Sequence, residues 1–467
     1  MTLLDHLPPL RHAHPDRAVC PSTSAVDSAG RLCVGGIALT SIADEFGTPS
    51  YVIDEADFRG RIRHYQSALR GVRVVYAGKS LLTTTVARWV AEEGLGLDVC
   101  SAGELAVALA AGTDPARIVM HGNAKTVDEL RDAVTAGVGT VVVDSLTEIS
   151  HLAGVVRRPQ RVLVRVTPDI DIHGHRAINT GVADQKFGFT VDDAEFGEAV
   201  DRISQHRLLT LVGLHCHLGS QITDPTLYGR AIHRLVPAMA DIRARHGMTL
   251  SELNIGGGHG VPYLAGEPEL DLQALSVTVD RALAEACAAA DFPRPNITVE
   301  PGRAISARAG VTVYRIQTLK SRPGGRTFVA VDGGMSDNPR VALYGANYTV
   351  ALANRQSASQ VTPMTVVGRH CEAGDELARD VLLPADLRPG DLLAFACTGA
   401  YNHSMASTYN SVGRPPVVSV ADGRVRELVR RETVADLLAR DRGALDIGRA
   451  PTRPRNSSGC AALLHGE

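Results

Sequence analysis

The chain has 467 residues, of which 44% are apolar and 21% are charged, and its formal net charge is −3. Because that length exceeds one ordinary domain, we predict two domains. The nearly balanced charge argues against nucleic acid or an anionic membrane as a partner. The eight cysteines contain no CxxC pair, and the sequence shows neither a membrane-spanning apolar stretch nor the apolar run of a signal peptide. We therefore expect a cytoplasmic protein with reduced thiols.

Residues 49–305 alternate between short β-branched runs and Ala-rich amphipathic segments. The eight β-branched runs are 72–77, 97–100, 117–121, 140–144, 161–167, 211–218, 252–255 and 296–300. Strands that alternate with helices form parallel βα units, and eight such units in about 250 residues match a closed (β/α)₈ TIM barrel. An open doubly wound sheet is the alternative that this pattern leaves.

The character of the sequence changes after residue 305. Strand-like runs at 311–319, 326–331, 364–367, 392–396 and 417–420 are separated by turn residues, with few helices between them. This pattern predicts an all-β domain over 306–445. The early segments 32–37 and 51–53 also resemble strands, and we expect the N-terminal segment 1–48 to join that domain. Residues 446–467 are polar and contain prolines, so we expect a disordered tail.

The active site of such a barrel lies at the carboxyl ends of its strands. The side chains expected there include an amine, imidazoles, a glycine run, carboxylates and a guanidinium. These residues are Lys79, Asp98, His121, Asn123, His215, His217, Ser220, Gly256–Gly258, Glu300 and Arg303.

Four lysines are present, so chemistry that needs an amine has few candidates. Lys79 follows a buried strand that leads into the barrel mouth, where desolvation would lower its pKa and free the amine for Schiff-base formation. The start of a helix explains Lys125 adequately, Lys186 is ambiguous, and Lys320 is expected in a turn of the β domain. A solvated surface position is the alternative for Lys79.

The glycine run and Glu300 each have two interpretations. Backbone N–H groups of Gly256–Gly258, together with the Ser220 hydroxyl, could bind a phosphate, although three glycines can also simply form a tight turn. Glu300 could be a carboxylate at a helix N-terminus or the group that keeps a pyridine nitrogen protonated. The glycine run and Ser220 together favour a phosphate site, whereas both interpretations of Glu300 stay open at this point.

His215 and His217 are two residues apart and therefore share one face of a strand. A His-x-His pair on a barrel strand also holds zinc in some hydrolases. Here Lys79, the glycine run and Arg303 occupy the positions that the remaining metal ligands would need. We therefore expect an imidazole stacked on a heteroaromatic cofactor, and no metal.

Six separated motifs resemble those of the fold-type III pyridoxal-phosphate decarboxylases, over about residues 35–438. They are 76–79 (YAGK), 215–221 (HCHLGSQ), 256–258 (GGG), 300–303 (EPGR), 371–375 (CEAGD) and 399–401 (GAY). The blocks 331–345 and 401–410 resemble the branch of that family that acts on meso-diaminopimelate. Members of the family consist of a barrel and a β domain that includes an N-terminal strand.

The resemblance implies a role for each motif. Lys79 would carry pyridoxal 5'-phosphate as a Schiff base, and His217 would stack on its ring. The other residues that the resemblance assigns to the cofactor are Asp98, Ser220, Gly258, Glu300 on the pyridine nitrogen, Gly302, Arg303 and Tyr401. The residues that it assigns to the substrate are Arg303, Arg340 and Tyr344 on the distal carboxylate, Glu372 on the distal ammonium, and Tyr401. Cys371 would protonate the carbanion left by CO₂. Because Cys371 and Glu372 reach the neighbouring subunit in this family, a homodimer is expected.

Three departures from the family pattern surround the substrate. Val341 replaces the usual proline, Ala373 replaces a serine, and the stretch 175–186 lacks an expected aromatic residue. We predict decarboxylation of meso-2,6-diaminopimelate to L-lysine and CO₂. The alternatives are a decarboxylase of a specialised-metabolite or siderophore intermediate, including a carrier-tethered one, an amino-acid racemase, a non-catalytic cofactor-binding regulator and a metal-dependent hydrolase. Cys371, Glu372 and Arg340 argue against the racemase.

Overall fold

A computed structural model of the protein describes residues 18–171, 181 and 185–443. Most of the stretch 175–186 and the whole of the predicted tail 446–467 lie outside the described residues. Within those residues, no helix combines the length and the apolar character that crossing a membrane requires.

A small antiparallel sheet, one helix and a strand of the second domain precede the barrel. In chain order the elements are β1 (Ala25–Val26), β2 (Leu32–Val34), β3 (Ile37–Ala38), α1 (Leu39–Phe46) and β4 (Ser50–Asp54). Strands β1 to β3 pair with one another, and the backbone N–H of Leu32 donates to Ala353 O at 2.8 Å. Leu32 and Val34 also pack in a buried cluster with Val52 and Val418. The N-terminal segment is therefore attached to the β domain, largely by packing.

The central part of the chain forms a ring of parallel strands surrounded by helices. Its elements are α2 (Glu55–Ala68), β5 (Arg73–Ala77), α3 (Thr84–Glu92), β6 (Gly96–Val99), α4 (Ala102–Ala110), β7 (Ile118–Met120), α5 (Val127–Ala136), β8 (Thr140–Val143), α6 (Leu146–Val155), β9 (Gln160–Thr167), β10 (Phe189–Thr190), α7 (Ala194–Gln205), β11 (Leu209–His215), α8 (Thr226–His246), β12 (Glu252–Asn254), α9 (Leu272–Ala289), β13 (Asn296–Val299) and α10 (Arg303–Ser306). Helices α4, α5 and α6 each begin after a hydroxyl residue whose side chain accepts from the N3 backbone N–H, namely Ser101, Thr126 and Ser145.

Closure of the ring confirms the predicted (β/α)₈ barrel. The strand order is β5-β6-β7-β8-β9-β11-β12-β13, and β13 pairs in parallel with β5 through Thr298 and Arg73. An open doubly wound sheet has two unpaired edges and does not pair its first strand with its last, so that alternative is wrong. Strand β10 extends the sheet beside β9 without entering the ring.

The barrel strands are buried on both faces, which explains why their sequences are almost continuously apolar. Five residues on different strands, Val75, Val119, Val142, Leu163 and Val212, form a separate buried cluster, as expected for a packed barrel interior. Alternate residues face the helices instead: the Tyr76 ring lies 5.5 Å from that of Phe58 in α2. This packing holds the strand ends in a rigid ring.

The second domain is built on a nine-stranded sheet. Its elements are β14 (Gly310–Ser321), β15 (Thr327–Val331), α11 (Arg340–Tyr344), β16 (Val350–Leu352), β17 (Val361–Val367), β18 (Glu376–Pro384), β19 (Leu392–Phe395), β20 (Val417–Ala421), β21 (Arg424–Val429) and α12 (Val434–Leu438). Strand β4 lies between β14 and β20, so the prediction that residues 51–53 pair with this domain is confirmed. The predicted barrel segment, 49–305, therefore opens with a strand that belongs to the other sheet. The sequence pattern missed strands β16, β18 and β21. Strands β18 and β21 carry charged, exposed positions, which obscure the apolar pattern.

Two of the lysines lie in surroundings that the sequence did not predict. Lys125 is buried, and its Nζ lies 2.8 Å from Glu148 Oε1 and donates to Gly122 O at 2.6 Å. The helix-start explanation is therefore insufficient, because Lys125 forms an ion pair between two barrel units. Lys320 lies in β14 and is exposed, so its expected position in a turn is wrong.

The Lys125–Glu148 pair predicts a stability effect that is separate from function. Removing one partner of a buried pair leaves an uncompensated charge, so Lys125→Met should lower the free energy of unfolding by about 3 kcal/mol. Lys320→Met removes an exposed lysine and should change that energy by less than about 0.5 kcal/mol. Urea unfolding followed by circular dichroism measures both variants.

The effect of Lys125→Met should also depend on pH. Burial raises the pKa of Glu148 to about 7 despite the Lys125 ammonium, and losing the ammonium raises this pKa further. A carboxyl whose folded pKa is raised destabilises the protein increasingly as the pH rises, until the folded pKa is passed. In the wild type, the destabilisation caused by Glu148 stops growing above about pH 7, whereas in Lys125→Met it continues to grow. The prediction would be contradicted if Lys125→Met lost the same free energy of unfolding, relative to the wild type, at about pH 6 and at about pH 9.

Candidate active site

Two cavities that share five lining residues lie at the carboxyl ends of the barrel strands. The inner cavity, of about 60 Å³, is lined by Ala77, Lys79, Asp98, His217, Gly219, Ser220, Gly257, Gly258, His259, Glu300, Gly302, Arg303 and Tyr401. The outer cavity, of about 440 Å³, is lined by Lys79, Arg165, Phe187, His217, Ser220, Gln221, Tyr263, Glu267, Arg303, Arg340, Tyr344, Gly345, Ala346, Asn347, Tyr401 and Met405. Every residue that the sequence assigned to a cofactor thus lines the inner cavity, and Arg303, Arg340, Tyr344 and Tyr401 line the outer one.

Lys79 lies in a 3₁₀ turn, Gly78–Ser80, directly after β5. The turn is tight, because a Cβ on Gly78 would lie 2.8 Å from Asp98 O. The Ser80 carbonyl accepts from the backbone N–H of Tyr401 at 2.8 Å. This hydrogen bond attaches a loop of the β domain to the barrel mouth beside the amine.

The charge state of Lys79 differs from the expectation. Solvent in the cavity reaches the side chain, but the surrounding protein partly desolvates it, which favours the neutral amine. The Tyr401 phenol and the Asp98 carboxylate outweigh that effect, so the pKa of Lys79 lies above its ordinary value. The expected lowering of the pKa is therefore wrong, and the amine carries a proton at neutral pH.

Glu300 is held by three buried side chains. His121 Nε2 lies 2.8 Å from Glu300 Oε1, Asn254 Nδ2 donates to the same oxygen at 2.7 Å, and His215 Nε2 lies 3.2 Å from Oε2. Burial alone would raise the pKa of Glu300, but His121 and His215 hold it well below its usual range. The site therefore contains a buried carboxylate that stays ionised.

The two histidines of the His-x-His pair have different surroundings. His215 is buried against Glu300, and burial lowers its pKa to about 4, so it is neutral. His217 lines both cavities, and its Nδ1 accepts from the backbone N–H of Gly257 at 3.2 Å. Only His217 of the pair faces the cavities, whereas His215 lies with His121 against Glu300, so the two imidazoles of the pair do not converge on one point.

The glycine run forms a cradle that leaves no room for a side chain. Gly256 and Gly258 adopt positive φ angles of 71° and 92°. A Cβ on Gly258 would lie 2.0 Å from Gly219 O, and one on Gly257 would lie 2.0 Å from Glu300 O. The backbone can therefore approach a bound group closely, as phosphate sites require. With the amine and the ionised carboxylate in the same cavity, these residues fit pyridoxal phosphate.

Cys371 and Glu372 do not join the other predicted site residues within one chain. Both are exposed in the loop between β17 and β18, and they line neither cavity. The Tyr409 hydroxyl donates to Glu372 Oε2 at 2.9 Å. The other predicted residues come together without any contribution from this loop.

The sequence pattern missed several residues of the outer cavity, among them Arg165, Phe187, Tyr263 and Glu267. Arg165 is near the end of β9, the strand predicted at 161–167. Its place near the carboxyl end of a barrel strand is a signal that the sequence contains, because such strand ends form the site. Tyr263 follows the glycine run by five positions, but an aromatic residue in a loop has no distinctive pattern.

Comparison with known proteins identifies the class to which this fold and site belong. Residues 55–307 match the family model described as the pyridoxal binding domain of pyridoxal-dependent decarboxylases. The chain therefore belongs to the pyridoxal-dependent decarboxylase family.

Within that family, relatives of high identity carry the name diaminopimelate decarboxylase. One from Actinosynnema pretiosum subsp. auranticum is 53% identical over 412 residues, which cover 88% of this chain and 93% of that protein. One from Mycobacterium tuberculosis H37Rv is 46% identical over 442 residues, which cover 92% and 98%. The crystal structure of diaminopimelate decarboxylase from M. jannaschii with L-lysine matches with a TM-score of 0.84 at 28% identity, covering 90% of this chain and 98% of that one.

The glycine cradle generates a test of the inner cavity. Gly258→Ala should weaken binding of pyridoxal phosphate by about tenfold or more, because the new Cβ would collide with the Gly219 carbonyl and force the backbone to shift. Gly266→Ala is the matched control, since Gly266 also has a positive φ, of 81°, but no atom lies within 4 Å of its would-be Cβ. Equilibrium dialysis of the cofactor measures both affinities. Equal affinities in the two variants would contradict a phosphate site at Gly258.

Proposed function

We propose that the protein decarboxylates meso-2,6-diaminopimelate and releases CO₂ and L-lysine. It is a pyridoxal-phosphate-dependent carboxy-lyase with close relatives that carry the name diaminopimelate decarboxylase. The observation that carries the choice of substrate is the pair of arginines, Arg303 and Arg340, in the cavity that opens beside Lys79. A substrate amino acid whose reacting end lies at the cofactor, beside Lys79, would extend towards these guanidinium groups, which suits a substrate with a second carboxylate.

The inner cavity provides the groups that hold the cofactor. Bound pyridoxal phosphate supplies a conjugated ring that accepts the electron pair left when CO₂ departs. Lys79 Nζ would hold the cofactor covalently, and the ionised Glu300 would keep a proton on its pyridine nitrogen. His217 would lie against the ring, while Ser220 and Gly258 would contact the phosphate. The remaining residues proposed to contact the cofactor are Asp98, Gly302, Arg303 and Tyr401.

The outer cavity would select the substrate. Arg303, Arg340 and Tyr344 would bind its distal carboxylate, and planar guanidinium groups favour carboxylates through paired hydrogen bonds. Phenol oxygens near both arginines accept hydrogen bonds without adding negative charge. A decarboxylase that recognises only a distal ammonium would have little use for Arg340 in this position.

We propose further that the working unit is a homodimer in which each subunit completes the other's site. Cys371 would protonate the carbanion, and Glu372 would bind the distal ammonium, in the partner's cavity. The exposure of both residues in one chain, away from its own cavities, supports this arrangement.

The described cysteines are all free, which supports a reducing compartment, the cytoplasm.

The role of Lys79 can be tested by absorbance and product analysis. Lys79→Ala should abolish the visible absorbance band of the bound cofactor and lower CO₂ release from meso-diaminopimelate by at least about 10³-fold, because the covalent attachment is lost. Lys320→Ala, an exposed lysine outside the site, should leave both unchanged. Survival of the band in Lys79→Ala would show that another group holds the cofactor.

Release of CO₂ only from other amino acids by the wild type would contradict the proposed substrate.

The shared site can be tested by subunit mixing. Lys79→Ala and Cys371→Ala should each be nearly inactive alone, whereas after joint unfolding and refolding an equimolar mixture should recover about one quarter of wild-type activity. This fraction follows because half of the dimers are mixed and each mixed dimer contains one intact site. A mixture that stays inactive although dimers form would contradict a site shared between subunits.

A further inference from the structure

Tyr263 lies between the two arginines of the outer cavity and contacts both. Its hydroxyl accepts from Arg303 Nη1 at 2.7 Å. The face of its ring lies 4.6 Å from the Arg340 guanidinium and 5.9 Å from that of Arg303. One side chain thus touches a cation from the barrel and a cation from the β domain.

The contacts of both arginines are phenols and hydroxyls, with no carboxylate ion pair among the described residues. Arg340 is buried and donates to the Tyr348 hydroxyl at 2.6 Å, and Arg303 donates to Ser220 Oγ at 3.0 Å. Burial opposes the charge on Arg340, but Tyr263 and Tyr348 outweigh it and raise the pKa. Neutral acceptors therefore orient the guanidinium groups while leaving their positive charge available to an anion.

Tyr263 is itself fixed on several sides. Its carbonyl accepts from Thr349 Oγ1 at 2.8 Å, and its N–H donates to Glu267 Oε2 at 2.8 Å. Its ring also packs edge-on against Tyr348 at 5.4 Å. Because Thr349 and Tyr348 belong to the β domain, Tyr263 is held across the junction that brings the two arginines together.

From this geometry we infer that Tyr263 is a positioning residue that sets the specificity for a second carboxylate. Its hydroxyl orients Arg303, and its ring supports Arg340, so that both guanidinium groups face one distal carboxylate. Tyr263 acts through the arginines and does not itself bind the substrate. This inference rests on the proposed function, because it assigns the two arginines to the distal carboxylate.

Tyr263→Phe is the first test, since it removes the hydroxyl and keeps the ring. Loss of a hydrogen bond to a charged group should raise KM for meso-diaminopimelate by about tenfold, with kcat within about threefold of wild type. The absorbance band of the bound cofactor should be unchanged. Tyr314→Phe is the matched control, because it removes a buried hydroxyl that bonds to Asp337 in the β domain, outside both cavities. This control should leave KM unchanged.

Two inhibitors isolate the carboxylate. L-lysine keeps the distal carboxylate of the substrate, whereas cadaverine is the same diamine without it. Tyr263→Phe should weaken inhibition by L-lysine about tenfold and inhibition by cadaverine by less than about twofold. Equal weakening of both would overturn the inference, since it would indicate a general disturbance of the cavity.

A double-mutant cycle separates positioning from direct contact. If Tyr263 acts through Arg303, adding Tyr263→Phe to Arg303→Gln should raise the L-lysine inhibition constant by less than about twofold. If the hydroxyl binds the ligand directly, the two effects multiply, and the inference is wrong.

Failure of the inference can be distinguished from failure of the proposed function. The wild-type assay with meso-diaminopimelate tests the function alone. If the wild type prefers another amino acid, the same KM measurement on that substrate still tests Tyr263. An unchanged KM in Tyr263→Phe overturns the inference for any substrate with a second carboxylate, and a preference of the wild type for a substrate without one overturns the inference and the proposed function together.

Discussion

Closure of the strand ring is the constraint on which the site depends. Pairing of β13 with β5 brings together the last and first strands of the barrel, and at their carboxyl ends the backbone N–H of Ala77 donates to Pro301 O at 3.2 Å. Lys79 follows one of these strands and Glu300 follows the other. An amine and a carboxylate from distant parts of the sequence thereby line one small cavity, at a separation that the barrel backbone fixes.

Attachment of the β domain is the second constraint. Strand β4 lies inside the sheet of that domain and leads directly into α2 of the barrel, so the two domains share a continuous stretch of backbone. The hydrogen bond from the Tyr401 N–H to Ser80 O and the contact of Thr349 with Tyr263 reinforce the junction. Because Arg340 and Tyr344 come from the β domain, the outer cavity exists only where the two domains meet.

The charges of the site are arranged for ligands more than for stability. Glu300 is kept ionised in a buried position by two imidazoles and an amide. Arg340 is buried against the phenols of Tyr263 and Tyr348 and has no carboxylate ion pair among the described residues. Buried charges are costly unless they are paired. Elsewhere the chain pairs such groups directly, as Lys125 and Glu148 show. The contrast is consistent with the proposal that Arg303 and Arg340 bind an anion.

The sequence by itself determined the barrel, the β domain and most of the residues that line the inner cavity. It could do so because strand periodicity locates the strand ends, and these ends must converge in a closed barrel. Tertiary structure alone decided the charge state of Lys79, the ion pair of Lys125, the separation of His215 from His217 and the place of Tyr263 between two arginines. Each of these depends on groups distant in the chain, whose distances and desolvation are set only when the ring closes and the second domain packs onto its mouth.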